Sequence, residues 1–167
     1  MKNIIVHHTA VSRSINANQW NATNDYHRQK WGMKSTLGFY GGYNFQIEPD
    51  GTIGQYRKVG EETIGATGYN FDSIHICLSG NFDIELPTTE QKQALKKLLE
   101  KYIKEFNIPP QNIFPHRKVA NKSCYGLKLS DSWARDLIQD NQKILDQLLA
   151  QIIWLQSEIS KLLKLRK

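Results

Sequence analysis

The chain has 167 residues, of which 40% are hydrophobic and 23% are charged. These values exclude a disordered or collagen-like chain and fit one compact domain with a sizeable core. The formal net charge of +6 suits an anionic partner such as nucleic acid, anionic lipid or the bacterial envelope, and it equally suits a protein that needs charge only for solubility.

A nucleic-acid partner is not expected. The lysines within residues 88–106 mostly fall on the solvent face of a predicted helix, and the sequence contains no nucleic-acid-binding motif. Residues 1–8 hold one Lys and an apolar run too short for a signal peptide, and no stretch is apolar for long enough to span a bilayer. The sequence therefore predicts a protein that is made in the cytoplasm and that needs another route out for any role outside it.

The first elements are a strand and a helix. Residues 3–8 predict a short buried strand that begins almost at the first residue. Residues 16–31 have helical character, because Trp20, His27 and Trp31 are spaced to share one face. On that face His27 is expected to pack beside Trp31 and to bind no ligand.

Short apolar or alternating segments predict the other strands, at residues 43–47 and 52–56 as a β-hairpin, at 73–79 and at 112–114. Cys77 lies in the third of these segments, where a thiol is typically a small buried hydrophobe. The clearest helix is 88–106, in which Thr88 and Gln91 can form a capping box. Strands mixed with helices predict an α/β domain with a central mixed β-sheet flanked by helices.

Residues 133–167 differ from the domain predicted for residues 1–132 and predict a long amphipathic helix. Apolar residues recur there with the a/d spacing of a coiled coil, at Ile138, Leu145, Leu148, Ile152, Leu155, Ile159 and Leu162. Leu149, Ile153 and Leu163 widen this apolar stripe beyond the narrow seam of a coiled-coil dimer. Three interpretations remain open: packing against the protein's own domain, self-association through residues 138–165, and contact with an anionic membrane through the basic, leucine-rich tip at 161–167.

Three residues that can hold a metal lie far apart in the sequence. His7 ends the first predicted strand, and His116 and Cys124 lie eight residues apart in a polar loop. Imidazole and thiolate are preferred zinc ligands, and three ligands from distant segments are typical of a catalytic zinc site. Residue type alone leaves the alternative open, because a single His or Cys is commonly structural.

Several segments together resemble a known family. Residues 5–10, 42–45, 50–52 and 73–82, followed by His116, Lys122 and Cys124, resemble in sequence and order the zinc amidases of the phage lysozyme and peptidoglycan recognition protein superfamily. The resemblance covers roughly residues 3–140. It implies N-acetylmuramoyl-L-alanine amidase activity, the hydrolysis of the amide between the lactyl group of muramic acid and the first alanine of the stem peptide.

The resemblance also assigns roles to residues. His7, His116 and Cys124 match the ligands of one Zn²⁺ ion, while Tyr43 and Lys122 match the catalytic tyrosine and lysine. A lysine suits the stabilisation of an oxyanion, and a tyrosine suits proton transfer toward a leaving amine. A cysteine as the third ligand is typical of the phage-type branch, and Thr9 is expected to line the site as its family counterpart does.

Other candidates are weaker. The side chain of His8 should point to the opposite face of the strand from His7, and His75 is expected to belong to the sheet, so both are predicted to be structural. Three aromatic residues are expected either to line a saccharide cleft or to pack in the core: Trp20, Trp31 and Tyr40.

The sequence departs from the family's pattern at two places. Residues 65–70 lack a histidine that the family usually has there, which puts substrate contacts from this segment in doubt. Tyr125 follows Cys124 where proline is common, a change that affects the turn alone.

The sequence thus predicts a phage-type endolysin that acts on peptidoglycan after release from the host cytoplasm. The alternative is a non-catalytic peptidoglycan-binding module, and the presence of all three ligands with Tyr43 and Lys122 favours the enzyme. A further role as a regulator of a phage polymerase is neither supported nor excluded by any residue of the sequence.

Overall fold

A mixed sheet lies at the centre of the molecule. The computed structural model describes the backbone of residues 1–165, and it describes their side chains except those of 139–144 and 162–165. Within these residues five strands lie in the order β3-β2-β4-β1-β5, where β1 is Asn3–His8, β2 is Phe45–Ile47, β3 is Ile53–Gln55, β4 is Ser73–Leu78 and β5 is Ile113–Pro115. β3 runs antiparallel to β2, and the other neighbouring pairs are parallel.

Three α-helices accompany the sheet within the described part of the chain: α1 (Trp20–Trp31), α2 (Thr89–Phe106) and α3 (Trp133–Leu165). Short 3₁₀ turns at Pro110–Asn112 and His116–Lys118 flank β5. The predicted capping box starts α2, because the Gln91 backbone N–H donates to the Thr88 hydroxyl (3.0 Å) and the Thr88 N–H donates to Gln91 Oε1 (3.1 Å). The predicted α/β fold with a central mixed sheet and a long C-terminal helix is confirmed.

The two faces of the sheet have different characters. On one face Ile4 and Val6 of β1 join the main hydrophobic core, which the apolar side of α2 and the first turns of α3 complete. On the other face the alternation of β1 places Ile5 and His7, next to His75 and Cys77 of β4. The polar face therefore carries the candidate site, and the apolar face supplies the stability beneath it.

Two predicted elements are longer than the observed ones. α1 begins at Trp20 and not at residue 16, because the Gln19 side-chain amide donates to the carbonyls of Val11 and Asn16 (2.9 and 2.8 Å) and holds residues 16–18 in a loop. The hairpin strands are three residues each, and the Asn44 side chain beside them accepts the His75 backbone N–H (2.8 Å) and donates to the Lys58 carbonyl (2.9 Å).

The first turns of helix α3 attach it to the domain. Ala134 is buried, and Trp133, Leu137 and Ile138 pack against the core. Between residues 145 and 161 the large apolar side chains are 50–66% exposed: Leu145, Leu148, Leu149, Ile152, Ile153, Trp154, Leu155 and Ile159. Packing on the protein's own domain therefore accounts for the start of α3 and not for residues 145–161, and the predicted contributions of Leu162 and Leu163 lie outside the described side chains.

None of the helices in residues 1–165 combines the length and the apolar character that a membrane span requires. The proposed boundary between residues 132 and 133 coincides with the start of α3. The division into two functional units stays a prediction.

Candidate metal centre and cleft

The register of the parallel strands explains why residues far apart in the sequence meet. β1 and β5 are neighbours, with Val6 paired to Pro115. The next residues along the chain are His7, still within β1, and His116, the first residue after β5. Their imidazole rings lie 4.6 Å apart between centroids. The carboxyl ends of parallel strands are the usual place for a site in open α/β sheets, and here two imidazoles occupy that edge.

Cys124 completes a three-residue cluster with the two histidines. The ligand atoms of His7, His116 and Cys124 lie within 4.8 Å of one another, and His7 Nδ1 is 3.8 Å from Cys124 Sγ. The sulfur is held by the backbone of β1, because the His8 N–H donates to it (3.4 Å). All three side chains are buried, so the cluster is fixed by its surroundings before any ligand arrives.

The donor set fits a zinc ion. Zinc holds nitrogen at about 2.0–2.1 Å and sulfur at about 2.3 Å in tetrahedral geometry, which places ligand atoms roughly 3.5 Å apart. The separation of 3.8 Å between His7 Nδ1 and Cys124 Sγ is close to this value. Three ligands with two nitrogens and one sulfur leave a fourth position, which is the pattern of catalytic rather than structural sites.

Burial tunes the protonation of the three ligands. It lowers the pKa of His7 well below its usual value, and burial with the nearby Lys122 ammonium lowers the pKa of His116 to about 4. Both imidazoles are therefore neutral at pH 7 with a lone pair available. Burial raises the pKa of the Cys124 thiol to about 12, against the opposing effects of the His8 N–H and Lys122. The thiol therefore keeps its proton at pH 7 in the absence of a metal ion, and it releases this proton when a metal ion binds.

His75 touches the cluster without belonging to it. Its Nδ1 lies 2.9 Å from His7 Nε2, on the side of the His7 ring away from Cys124. The ring is completely buried, and burial lowers its pKa to about 4. The expectation that His75 belongs to the sheet was correct in position, but its contact with a candidate ligand was not foreseen.

His8 points the other way, as the alternation of a strand requires. Its Nδ1 accepts the Phe82 backbone N–H (3.0 Å), and its ring packs against the Phe82 ring. Burial lowers the pKa of His8 to about 4. Its ring therefore anchors the loop after β4, while its backbone holds Cys124.

Tyr43 reaches the cluster from the segment before β2. Its ring lies 4.9 Å from the His7 ring and 5.4 Å from the His27 ring, between centroids. The preceding residue is held in place because the Gly42 N–H donates to His27 Nδ1 (2.9 Å) and the Gly42 carbonyl accepts the Ile64 N–H (2.8 Å). Burial raises the pKa of Tyr43 well above its ordinary value, so the phenol keeps its proton at neutral pH.

Lys122 is exposed and lies two residues before Cys124. Its ammonium is near enough to the buried ligands to lower the pKa of both histidines and of the Cys124 thiol. An exposed cation beside a buried three-ligand cluster is suited to stabilise negative charge that develops on a substrate.

A cleft runs past the cluster and along α1. Two adjoining hollows of about 480 and 460 Å³ share the lining residues Lys30, Trp31, Tyr43 and Lys122. The first extends along α1, and the second reaches His116 and Cys124. Each hollow is within the size range of sites for small ligands, roughly 300–1,000 Å³, so the cleft has room for a substrate larger than the reacting group.

Of the residues that were expected near the cleft, Thr9 and Trp31 line it, whereas Trp20 and Tyr40 are not among its lining residues. Thr9 lines it, with its hydroxyl accepting the Gly80 N–H (3.0 Å). Trp31 lines both hollows and is 42% exposed, whereas Trp20 stacks on Tyr56 with centroids 3.6 Å apart. Tyr40 is half-buried, and its backbone N–H donates to Asn24 Oδ1 (2.7 Å).

The two departures from the family's pattern have local explanations. Gly65 lines the cleft and lies against His75, so that a Cβ at position 65 would be 2.1 Å from His75 Nδ1. Tyr125 is buried in the core, and its hydroxyl donates to the Ser130 carbonyl (2.7 Å). Both residues therefore support the site from outside the cluster.

Comparison with known proteins was consistent across sequence and structure. Residues 1–127 match the family model described as N-acetylmuramoyl-L-alanine amidase. The endolysin of Escherichia phage T7 is 33% identical over 103 residues, or 57% of this chain and 65% of that protein. Peptidoglycan-recognition protein 2 of Holotrichia diomphalia is 32% identical over 104 residues, or 60% of this chain and 53% of that protein. The match thus spans between about half and two thirds of the length of these two relatives.

Solved structures show the same fold. N-acetylmuramoyl-L-alanine amidase LysC from Clostridium intestinale has a TM-score of 0.67 and 26% identity, covering 84% of this chain and 85% of that chain. The Ph2119 endolysin from a Thermus scotoductus bacteriophage has a TM-score of 0.64 and 19% identity, covering 81% and 83% of the two chains. At that identity the second likeness supports the fold alone.

Proposed function

Because the chain belongs to the N-acetylmuramoyl-L-alanine amidase family, we propose that it is a zinc-dependent enzyme that hydrolyses the amide between N-acetylmuramic acid and L-alanine in bacterial peptidoglycan. The observation that carries the proposal is the convergence of His7, His116 and Cys124 within 4.8 Å, at a cleft that Tyr43 and Lys122 also line. Recognition alone would need the cleft and not a buried set of three metal ligands.

The chain's residues divide the work of amide hydrolysis. His7, His116 and Cys124 would hold a zinc ion, which would supply Lewis-acid chemistry for the scissile carbonyl and for water. The Lys122 ammonium stabilises the negative charge that develops on the carbonyl oxygen. Tyr43 keeps its proton at neutral pH and holds it for the leaving alanine nitrogen. The reaction adds OH from water to the lactyl carbonyl and H to the amine.

The branch of the family to which the enzyme belongs is also part of the proposal. A cysteine at the third ligand position and the identity shared with the phage T7 endolysin support a phage-type endolysin. Such a protein acts on the wall after release from the host cytoplasm. The named recognition proteins among the relatives make a non-catalytic peptidoglycan-binding module the second candidate.

Mass spectrometry of the fragments released from purified peptidoglycan tests the proposal. The expected products are stem peptides with a free alanine amino group, which disappear when a chelator is added and return with Zn²⁺. Zinc-loaded protein that sediments with the wall but releases no such peptides would contradict the enzyme and support the binding module. Release of sugar fragments or of cross-bridge peptides would contradict the bond assigned here.

The outer part of α3 supports a separate proposal, self-association through residues 145–161. Ile152 and Ile159 occupy a positions and Leu148 and Leu155 occupy d positions, a distribution that favours two-stranded coiled coils. The segment carries Asp146, Glu158 and Lys161 as its charged residues, and most of the basic residues that would favour an anionic membrane lie beyond it, at Lys164, Arg166 and Lys167.

Sedimentation of the full chain over a range of concentrations tests the pairing of α3. We expect a dimer that dissociates in a variant carrying Leu148→Gln and Leu155→Gln. A wild-type chain that is monomeric at all concentrations would overturn the proposal. If that monomer floats with vesicles of anionic lipid, the apolar face of α3 binds a membrane and not a second copy of the chain.

A further inference from the structure

The hydrogen bonds of His75 determine where the protons lie on two buried rings. His75 Nε2 is 3.3 Å from the Tyr69 carbonyl oxygen, and His75 Nδ1 is 2.9 Å from His7 Nε2. A carbonyl oxygen can only accept, so His75 carries its proton on Nε2 and presents a lone pair at Nδ1. His7 must then carry its own proton on Nε2, which leaves the lone pair of His7 Nδ1 facing Cys124.

The other pair of tautomers, with the proton on Nδ1 of both His75 and His7, is disfavoured by the neighbours of each ring. A proton on His75 Nδ1 would place the Nε2 lone pair against the lone pairs of the Tyr69 carbonyl. It would also move the His7 proton to Nδ1, where it would occupy the side that faces Cys124 Sγ at 3.8 Å. A metal ion cannot bind a ring nitrogen that carries a proton.

The chain around His75 keeps its ring in this position. Asn44 brackets the residue, because its side-chain oxygen accepts the His75 N–H (2.8 Å) and its own N–H donates to the His75 carbonyl (3.0 Å). Gly65 leaves the space that the ring occupies, since a Cβ there would lie 2.1 Å from Nδ1. The absence of side chain at residue 65 is thus a requirement for the contact between His75 and His7.

We propose that His75 is a positioning residue for the metal centre, which sets the tautomer and the orientation of His7 so that Nδ1 is free to bind the ion. The inference rests on the proposed function, since it concerns the same metal ligands. Residues that hydrogen-bond the far nitrogen of a ligating histidine typically change metal affinity about 10–100-fold when they are removed.

Long-range proton–nitrogen NMR spectra of metal-free protein with ¹⁵N-labelled histidine test the tautomer directly. We expect both His7 and His75 to carry the proton on Nε2. A proton on Nδ1 of His7 in the metal-free wild-type protein would overturn the inference, whatever the enzyme does with peptidoglycan.

Two substitutions separate the acceptor at residue 75 from the volume of the ring. His75→Phe keeps a ring but removes the acceptor, and we expect its zinc dissociation constant, measured by competition with a chromogenic chelator, to rise about 10–100-fold. His75→Asn places an amide oxygen near the position of Nδ1, so we expect a dissociation constant within a few-fold of the wild type. Equal affinity in all three proteins would overturn the inference, and so would equal loss in both variants while His7 keeps its tautomer.

Gly65→Ala provides a variant that touches no metal ligand. The added Cβ displaces the His75 ring, so we expect the same direction of change in zinc affinity and an altered His7 tautomer spectrum. Thermal unfolding of each metal-free variant shows whether the domain is folded. A wild-type protein that binds zinc but cuts no peptidoglycan would contradict the proposed function and leave the inference on His75 intact.

Discussion

The cleft region and the outer part of α3 differ from a typical globular protein in opposite ways: the first buries polar side chains, and the second exposes apolar ones. In the cleft, the polar rings of His7, His75 and His116 are buried, and within the described residues every buried side-chain nitrogen or oxygen has a hydrogen-bond partner. Along residues 145–161, large apolar side chains are exposed. Buried polar groups and exposed apolar surfaces are the informative exceptions in a globular protein. The first exception supports the proposed metal site, and the second supports the proposed self-association.

The largest effect is expected from removing a ligand in the cleft. Cys124→Ala takes away the sulfur that closes the three-residue cluster, and a metal ion contributes several kcal/mol of transition-state stabilisation, so we expect release of stem peptides to fall by about 10³-fold or more. The rate of product release with saturating zinc measures this. An active Cys124→Ala protein with an unchanged fold would remove the reason for treating the cleft's buried polar residues as a metal site.

A smaller loss is expected when the exposed cation at the cleft is removed. Lys122→Met should lower kcat about 10²–10³-fold with little change in KM, because the charge is needed mainly in the transition state. Lys118→Met is the matched control, since Lys118 lies over the Phe114 ring and does not line either hollow. Equal losses in the two variants would show that general positive charge, and not the position of Lys122, is what matters.

Two leucine substitutions, one in the core and one on the outer part of α3, test through the free energy of unfolding whether the two regions differ in burial as described. Leu95 is completely buried in the core and Leu148 is half exposed on α3. We expect Leu95→Ala to cost about 2–5 kcal/mol and Leu148→Ala to change the free energy of unfolding by no more than about 0.5 kcal/mol in dilute monomer. Urea unfolding measures both. A cost for Leu148→Ala that grows with protein concentration would show that a second copy buries this side chain.

The smallest effect concerns His27, a buried residue of the cleft wall that binds no ligand in the proposed mechanism. Burial, with smaller effects of Lys30 and Arg57, lowers the pKa of His27 to about 4. Protonation below pH 6.5 therefore favours the unfolded chain, and the stability contributed above that pH is lost as the pH falls toward 4. We expect urea midpoints of His27→Gln, measured with chelator present, to fall less steeply over this range than those of the wild type. Equal slopes would exclude His27 as a source of the pH dependence.

The sequence predicted the strands of the domain better than the contacts made by their side chains. The hydrophobic periodicity and the capping residues were sufficient to predict β1, β4 and α2, because both signals come from residues close together in the sequence. The start of α1 was missed because Gln19 is held by carbonyls of the preceding loop and by the Glu48 carboxylate (2.9 Å). No local pattern indicates such a contact across 29 residues of sequence.

The candidate site was found only in part for the same reason. His7, His116 and Cys124 could be selected by residue type and by resemblance, and the structure brings them together. His75 could not be selected from the sequence. In the sheet His75 is paired with Ile5 and His7 with Cys77, so the contact between the two histidines is a diagonal one that depends on the register of β1 and β4. The missing family histidine in residues 65–70 was interpreted as a lost contact, whereas Gly65 in that segment makes room for His75.

The length of α3 has a consequence for the proposed activity on a polymeric substrate. Its 33 residues extend about 50 Å at 1.5 Å per residue, and the domain is attached at one end. Two copies joined through residues 145–161 would form a bivalent particle, in which one cleft stays close to the wall while the other releases its product. Rebinding would then occur at a high effective concentration, and the enzyme would remain on one patch of wall through successive cuts without any gain in the affinity of either cleft.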